Sequence, residues 1–328
     1  MNRQGSATLM VLSLLLFLSA LFLGGAAFIE LSIRDLGKSR LRADAYARLR
    51  AAAEATVGDL LSDPTPFADS PLDPVWAAIE APRGDGITVE LVDVSSRLGL
   101  NWIRKEVLAD TGALLPGHAA QEVQELRESA GLRLNLDTGF GSLVEANALE
   151  QVFTPYGWFN INIADEFVLR AVHRSRGGDP AAAEQFHLAV QQARIAHRVI
   201  SSEQLGSFLG EDGFRLLYPI VNAEPALNLH FVPERVLEVL FFHYKITAAG
   251  ARSLGDARRA GELTPGDLQR LLDGTPNGAS LAPYLGLRTW FWRITVRQAR
   301  QRLEWIVARV PRRDGTPEFR FVEERFEP

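Results

Sequence analysis

MNRQGSATLMVLSLLLFLSALFLGGAAFIE, residues 1–30, decides how the chain is organised. Between Arg3 and Glu30 lies a run of 26 residues without a charge. As an α-helix it spans about 39 Å at roughly 1.5 Å per residue, more than the ~30 Å hydrocarbon layer of a bilayer. Arg3 and the α-amine precede it. Positive charge is retained in the cytoplasm, so the N-terminus is expected inside and the bulk of the chain outside. A plain signal anchor fits this pattern. A cleaved secretory signal is a second reading, because Ala20 and Gly24–Ala27 offer small residues for a cut, but its apolar core would be only about 7–15 residues long.

The helix is expected to continue beyond the bilayer. From Glu30 to Ser62 there is no proline, and Tyr46, Leu49, Ala53, Val57 and Leu60 recur at helical spacing. Asp63-Pro64 and Pro66 end it, since proline removes a donor and clashes with the preceding turn. Residues 63–85 hold five prolines and read mainly as a loop. Ile87, Val89 and Leu91 then alternate with Thr88, Glu90 and Val92, the pattern of a strand with one buried face. Trp290, Trp292, Ile294 and Val296 alternate in the same way near the other end, and Leu303–Val307 and Phe319–Val322 are two further strands. Asp314-Gly315 supplies turn chemistry between those two. The strand at residue 87 has no local partner, so pairing with the C-terminal meander is the economical solution.

Over the 328 residues, hydrophobic side chains make up 47% and charged ones 23%, which excludes a wholly disordered chain. Only one apolar run is long enough to span a bilayer, which excludes a multi-span protein. There is no cysteine, hence no disulfide framework and no Cys-ligated metal. A net charge of -5 argues against a broadly basic nucleic-acid binder. Residues 98–285 read as helical and carry 16 Lys+Arg against 22 Asp+Glu, whereas the remainder carries 19 and 18. The expected fold is therefore α+β: a long N-terminal transmembrane and stalk helix (6–62), a small antiparallel sheet domain (63–97 and 286–328) packed on it, and a large all-α, acidic insertion (98–285).

The insertion contains an internal echo. Leu100-Asn101, Asn160-Ile161-Asn162 and Asn228-Leu229-His230 each precede a Val-Leu pair: Val107-Leu108, Val168-Leu169 and Val236-Leu237. Asn101, Asn162 and His230 each lie six positions before the valine. The expected reason is helix capping by the Asn side chains, with Pro233 able to start the third helix instead.

Little points to catalysis. Of the six histidines, His118, His173, His187, His197, His230 and His243, no two form a metal-binding helical pair, and Glu184-x-x-His187 is a single unit where a di-iron bundle needs two. Nucleophile-elbow, P-loop, dinucleotide and zincin motifs are absent. Acidic pairs such as Glu211-Asp212 and Glu323-Glu324 read as solvated faces or caps. Residues 201–219 read as helix, glycine turn, helix and proline stop. The turn Gly210-Glu211-Asp212-Gly213 would set two carboxylates against a phosphate backbone, so a packing hairpin is favoured over DNA binding.

Several ordered segments carry a resemblance: Gly5 before the apolar helix, VDVSSRLGLN (92–101), FNINIADEFVL (159–169), SSEQLGSFLGEDGFRLLYPIV (201–221), ELTPGDLQRLL (262–272) and LGLRTWFWRITV (285–296). In this order the chain resembles the K-type minor pseudopilin (GspK) of type II secretion systems over nearly its full length. The resemblance implies a prepilin leader, residues 1–5, with cleavage by a prepilin peptidase between Gly5 and Ser6 and N-methylation of Ser6. It implies a non-enzymatic subunit of the inner membrane, single-pass, with a periplasmic bulk. Its partners would be I- and J-type minor pseudopilins and the major pseudopilin at the tip of a secretion pseudopilus, with no nucleic acid. Some members bind calcium, but no ligand set maps onto these residues and no other cofactor is implied. Two departures stand out: Ser6 replaces the usual large apolar first residue, and the echo at 228–237 has His230 where an Asn is expected; separately, Met10 occupies the fifth mature position, where pilins usually carry Glu. A signal-anchored periplasmic binding or adhesin-like protein, a minor pilin of a type IV pilus and, most remotely, a membrane-anchored DNA-uptake protein are the competing readings.

Intact-mass analysis of the membrane-extracted protein is expected to show residues 1–5 missing. Gly5→Arg should block the cut, because a side chain at that position obstructs a peptidase site; retention of Met1 in peptidase-positive cells would overturn the processing reading.

Overall fold

A computed structural model describes residues 3–81, 86–111, 151–196, 198–312, 316 and 318–327, with side chains from residue 12 onward. The first element is one uninterrupted helix, α1 (Arg3–Leu61). From Leu12 to Asp44 its side chains are exposed, apart from a half-buried Ser32. Above that point Ala45, Leu49, Ala53, Thr56 and Leu60 are buried. The apolar stripe expected from the spacing is thus the face that packs on protein, and the bare lower part contains the uncharged run that is long and apolar enough to cross a membrane.

The packing partner is a four-stranded antiparallel sheet in the order β1 (Ile87–Asp93), β8 (Phe291–Gln298), β9 (Gln301–Arg309), β10 (Phe319–Glu327). β1 pairs with β8 from Ile87 opposite Gln298 to Asp93 opposite Trp292. The lone strand therefore finds its partner across the whole insertion, as its isolation in the sequence required. Leu49, Ala53 and Leu60 meet Val89, Leu91, Trp292, Ile294, Leu303 and Val307 in one core. On the opposite sheet face Trp290, Phe291, Ile306 and Ala308 receive Tyr156 and Trp158 from the helical block. Residues 313–315, including the Asp314-Gly315 turn, lie outside the described residues.

The segment expected as a loop holds a helix, α2 (Pro74–Glu80). Its start is chemically ordinary: Asp73 accepts from the Val75 N–H and Pro74 occupies the first turn, where its missing N–H costs nothing. The proline count hid it, because Pro74 begins a helix instead of interrupting one. Trp76 and Ile79 on α2 enter the core between stalk and sheet.

Between β1 and β8 the described residues form α3 (Lys105–Thr111), α4 (Glu166–Ser175), α5 (Pro180–Ile195), α6 (Ser202–Leu217), α7 (Glu234–His243), α8 (Ala248–Ala260) and α9 (Pro265–Asp273). The internal echo has a different cause from the one expected. Three two-residue parallel bridges tie the block: β2 (Leu98–Gly99) with β3 (Phe153–Thr154), β4 (Phe159–Asn160) with β5 (Val221–Asn222), and β6 (Leu227–Asn228) with β7 (Leu285–Gly286). Their bonding is identical. The N–H of Leu98, Phe159 or Leu227 donates to Val152, Ile220 or Tyr284, and that of Leu100, Ile161 or Leu229 donates to Thr154, Asn222 or Gly286. Each lead-in opens a helical unit and a second strand closes it.

Helix capping by the echoed residues is therefore corrected. Asp165 caps α4 and Pro233 precedes α7, while Asn162 and His230 reach further along their own units. Asn162 exchanges two bonds with the backbone of Ile200, at 2.8 and 2.9 Å, and His230 lies within electrostatic reach of Arg258 and Glu262. Asn101 instead donates to the Pro155 carbonyl at 3.3 Å. The Val-Leu pairs are buried in all three units.

Deleting residues 286–328 removes every partner of β1. Loss of the β-sheet circular-dichroism signal and of the thermal transition belonging to the stalk-proximal core is the expected result; a truncated chain that kept both would contradict this topology.

Candidate functional site

The residues singled out for processing and filament register, Gly5, Ser6 and Met10, stand in the first turns of α1. Their side chains lie outside the described residues, and Met1 and Asn2 do as well. α1 is the one described helix long and apolar enough to cross a membrane.

The most developed polar site is the buried junction where the helical block leaves and rejoins the sheet. Five segments meet there. Asp69, in the loop after α1, takes two bonds from the Arg309 guanidinium on β9, at 2.8 and 3.0 Å. Both side chains are almost fully buried, 1% and 4% exposed. Asp69 also accepts from the Thr289 N–H at 2.7 Å. The Thr289 hydroxyl donates to Asp93, at the end of β1, at 2.8 Å. Asp93 further accepts from the N–H groups of Ser95 and Ser96 and from both hydroxyls, which fixes the turn by which the chain leaves the sheet. From the block, the Asn228 amide donates to the carbonyls of Asp69 and Leu287 and to the Thr289 hydroxyl, at 2.8, 3.0 and 3.1 Å. Its carbonyl oxygen accepts from the His230 N–H at 3.0 Å, closing the turn of the third lead-in.

Aromatic rings line one side of this hub. Phe231 stacks on Trp76 at 4.6 Å, Trp76 meets Trp292 at 4.7 Å, and the Arg309 guanidinium lies 5.8 Å from the Trp292 ring. Arg309 pairs with Asp69, whereas Asp93 is held by hydroxyl and N–H donors and is linked to Asp69 through Thr289. Burial raises the Asp69 carboxyl to about 6 in spite of Arg309 and the Thr289 N–H. Burial likewise raises Asp93, against the hydroxyls of Ser96, Thr289 and Ser95.

The acidic pair Glu323-Glu324 is solvated, Glu324 exposed and Glu323 half-buried, but each carboxylate also has partners from another part of the chain. Successive residues on β10 point to opposite sides of the sheet. Glu324 accepts from the Tyr46 hydroxyl of α1 and from the Trp305 indole, each at 2.7 Å. Glu323 accepts from the Tyr156 hydroxyl of the block at 2.8 Å. One strand thus holds the stalk on one face and the block on the other. Glu211 does behave as a surface residue, pairing with Arg215 one turn on at 2.7 Å.

The histidines do not converge. His173 and His230 are buried, and desolvation lowers both below the ordinary imidazole value. His243 contacts Asp110 at 2.6 Å, joining α7 to α3. His118 and His197 lie outside the described residues. Among the described residues no group of three His, Asp or Glu side chains could hold a metal ion. Within residues 201–219 α6 (Ser202–Leu217) is broken where Gly210 takes φ 69° and ψ 172°, so the glycine turn is present inside a kinked helix.

No protein-family model and no curated protein matches the chain. Among solved structures it is similar to one described as the GspK-GspI-GspJ complex from the enterotoxigenic Escherichia coli type 2 secretion system. That match has 14% identity and a TM-score of 0.35, and covers 87% of this chain and 98% of the other.

A carboxyl whose folded value lies above its unfolded one takes up a proton on folding, so it disfavours the folded state once ionised. For Asp69 the window runs from about 4 to about 6. Asp69→Asn imitates the protonated form at every pH and leaves the buried histidines unchanged. Asp69→Asn also leaves the Arg309 guanidinium buried without its anion, so the variant should be less stable than the unaltered chain at pH 4; the difference should shift in the variant's favour as pH rises from about 4 to about 6 and stay level above. Arg309→Gln leaves the buried Asp69 carboxylate without its cation and should cost about 3–5 kcal/mol in denaturant melts at pH 7.

Proposed function

We propose that this chain is a minor pseudopilin of the K type, occupying the tip of a type II secretion pseudopilus and nucleating its assembly. One observation carries the reading. A single helix is bare along a bilayer-length apolar stretch and then, without a break, becomes the core helix of a four-stranded sheet that carries a bulky helical block. A membrane-extractable stalk suits a filament subunit, because withdrawal into a filament exchanges lipid for neighbouring helices over the same exposed side chains. The ordered sequence resemblance supplies the family within that class.

In this reading residues 1–5 are the leader, cleaved at Gly5–Ser6 by a prepilin peptidase, and Ser6 is methylated. The anchor sits in the inner membrane with the bulk periplasmic, and residues 98–285 form a domain inserted into a pilin-like domain of 63–97 and 286–328. The partners are I- and J-type minor pseudopilins and the major pseudopilin. Met10 places the chain within the filament. A carboxylate at the fifth mature position pairs with the N-terminal amine of the preceding subunit, and a buried unpaired charge costs several kcal/mol. Methionine cannot make that pair. A subunit entering beneath another would leave an amine uncompensated, whereas a first subunit meets none.

Immunogold labelling of overproduced pseudopili tests the assignment. Label at one end, with one or very few copies per filament, is expected, and overexpression of this chain alone should give no long homopolymers. Label spread along the shaft would refute the tip position.

A further inference from the structure

Between α4, α5 and α6 the helical block opens a cleft of about 550 Å³, within the range of cavities that seat ligands or partner side chains. Phe186 of α5 and Phe208, Leu209 and Leu216 of α6 line it with half-buried apolar surface, and Asp179 and Asp212 line it as exposed carboxylates. Among the described residues no lysine or arginine lines it, and its one imidazole, His173, is buried. The kink at Gly210 shapes one wall, because it turns the second half of α6 so that Asp212 and Leu216 border the same space as Phe208 and Leu209. Asp179 spends one oxygen on the first turn of α5, accepting from the Ala182 N–H at 3.0 Å.

We infer that this cleft is a docking surface for a partner polypeptide that inserts a lysine or arginine flanked by an apolar side chain. The match is one of charge and shape. The methylene stem of a long cationic side chain is apolar and its head is charged, so it can lie along phenylalanine and leucine surface while its head meets a carboxylate. Asp179 and Asp212 provide that carboxylate, and the faces of Phe186 and Phe208 suit a guanidinium as well. Asp179 and Asp212 are the charged side chains among the described residues that line the cleft, so approach of a basic partner is favoured at low salt. An acidic segment would meet like charge at the rim, and a wholly apolar one would leave the carboxylates desolvated. The inference concerns this cleft alone and stands apart from the position of the chain in a filament.

The absence of native cysteine makes the test clean. Gln185→Cys puts one thiol on an exposed residue of the cleft for an environment-sensitive fluorophore. The labelled full chain, in a neutral detergent, is titrated with a capped helical peptide bearing a leucine face flanked by arginines, and in parallel with the same peptide carrying glutamates. A saturable signal with the arginine peptide alone, weakening as salt is raised, is expected. Asp179→Asn combined with Asp212→Asn keeps the α5 cap, since Asn also caps, and should weaken binding about five-fold. Ala189→Phe should fill the cleft and abolish the signal, and the Asn pair decides the matter if that variant melts early. Equal responses to both peptides, or binding indifferent to the Asn pair, would overturn the inference.

Discussion

The edge strand β1 has one partner, and that partner lies on the far side of the helical block. Everything else depends on bringing Asp93 and Phe291 side by side. Loop-closure entropy grows only slowly with length, so the number of intervening residues is not the obstacle. Orientation is. The block must deliver its two ends antiparallel, in register and at the same sheet edge. The junction meets this demand with bonds that cross segment boundaries. Val94 donates to the Phe291 carbonyl just beyond the paired strands, Thr289 bridges Asp69 and Asp93, and Asn228 ties the block to both connections. Buried polar groups of this kind are costly unless all are satisfied. Here the cost falls at the place where the chain must have one geometry and no other.

Much of the architecture was legible because the relevant signals are local and periodic. The uncharged run before Glu30, the 3–4 spacing from Tyr46 to Leu60 and the alternation in Ile87–Leu91 and Trp292–Val296 each state which face is buried. The pairing of β1 with β8 followed from elimination. What escaped the reading was chemistry that depends on distant partners. Glu323 and Glu324 look like any charged pair until Tyr156 and Tyr46 approach from opposite faces. Asn228 sits in a lead-in that suggested capping, yet its amide serves residues far away on both sides in sequence. Asp69 lies in a proline-rich stretch with no periodicity, so nothing local marked it as the partner of Arg309. The echo was visible, but a two-residue parallel bridge has no sequence period to recognise, and the Asn side chains were more conspicuous than the backbone bonds that the three units share.

The threefold repetition of one bridge register has a mechanical consequence. Each helical unit is closed on itself before the next begins, with β3 leading directly to β4 and β5 to β6. The three closures follow one another along the chain, and the third ends at β7, from which Leu287–Thr289 runs into the hub and β8. The block is therefore connected to the sheet by ordered structure at both ends: Asp93–Ser96 on entry and Leu287–Trp290 on exit.

The stalk joins this frame through β10. Tyr46 on α1 and Tyr156 on the block bond to adjacent glutamates on opposite faces of that strand. Swinging the block relative to the stalk would have to break the Tyr156–Glu323 bond, uncover Phe291 from Trp158 and Tyr156, and separate Phe231 from Trp76. Those contacts lie on both sides of the sheet, so no single hinge relieves them all. Stalk, sheet and block are consequently built to turn as one body. The block's position therefore follows directly from that of α1, and the long stretch of α1 below Ala45 is the part that the rest of the described chain leaves uncovered.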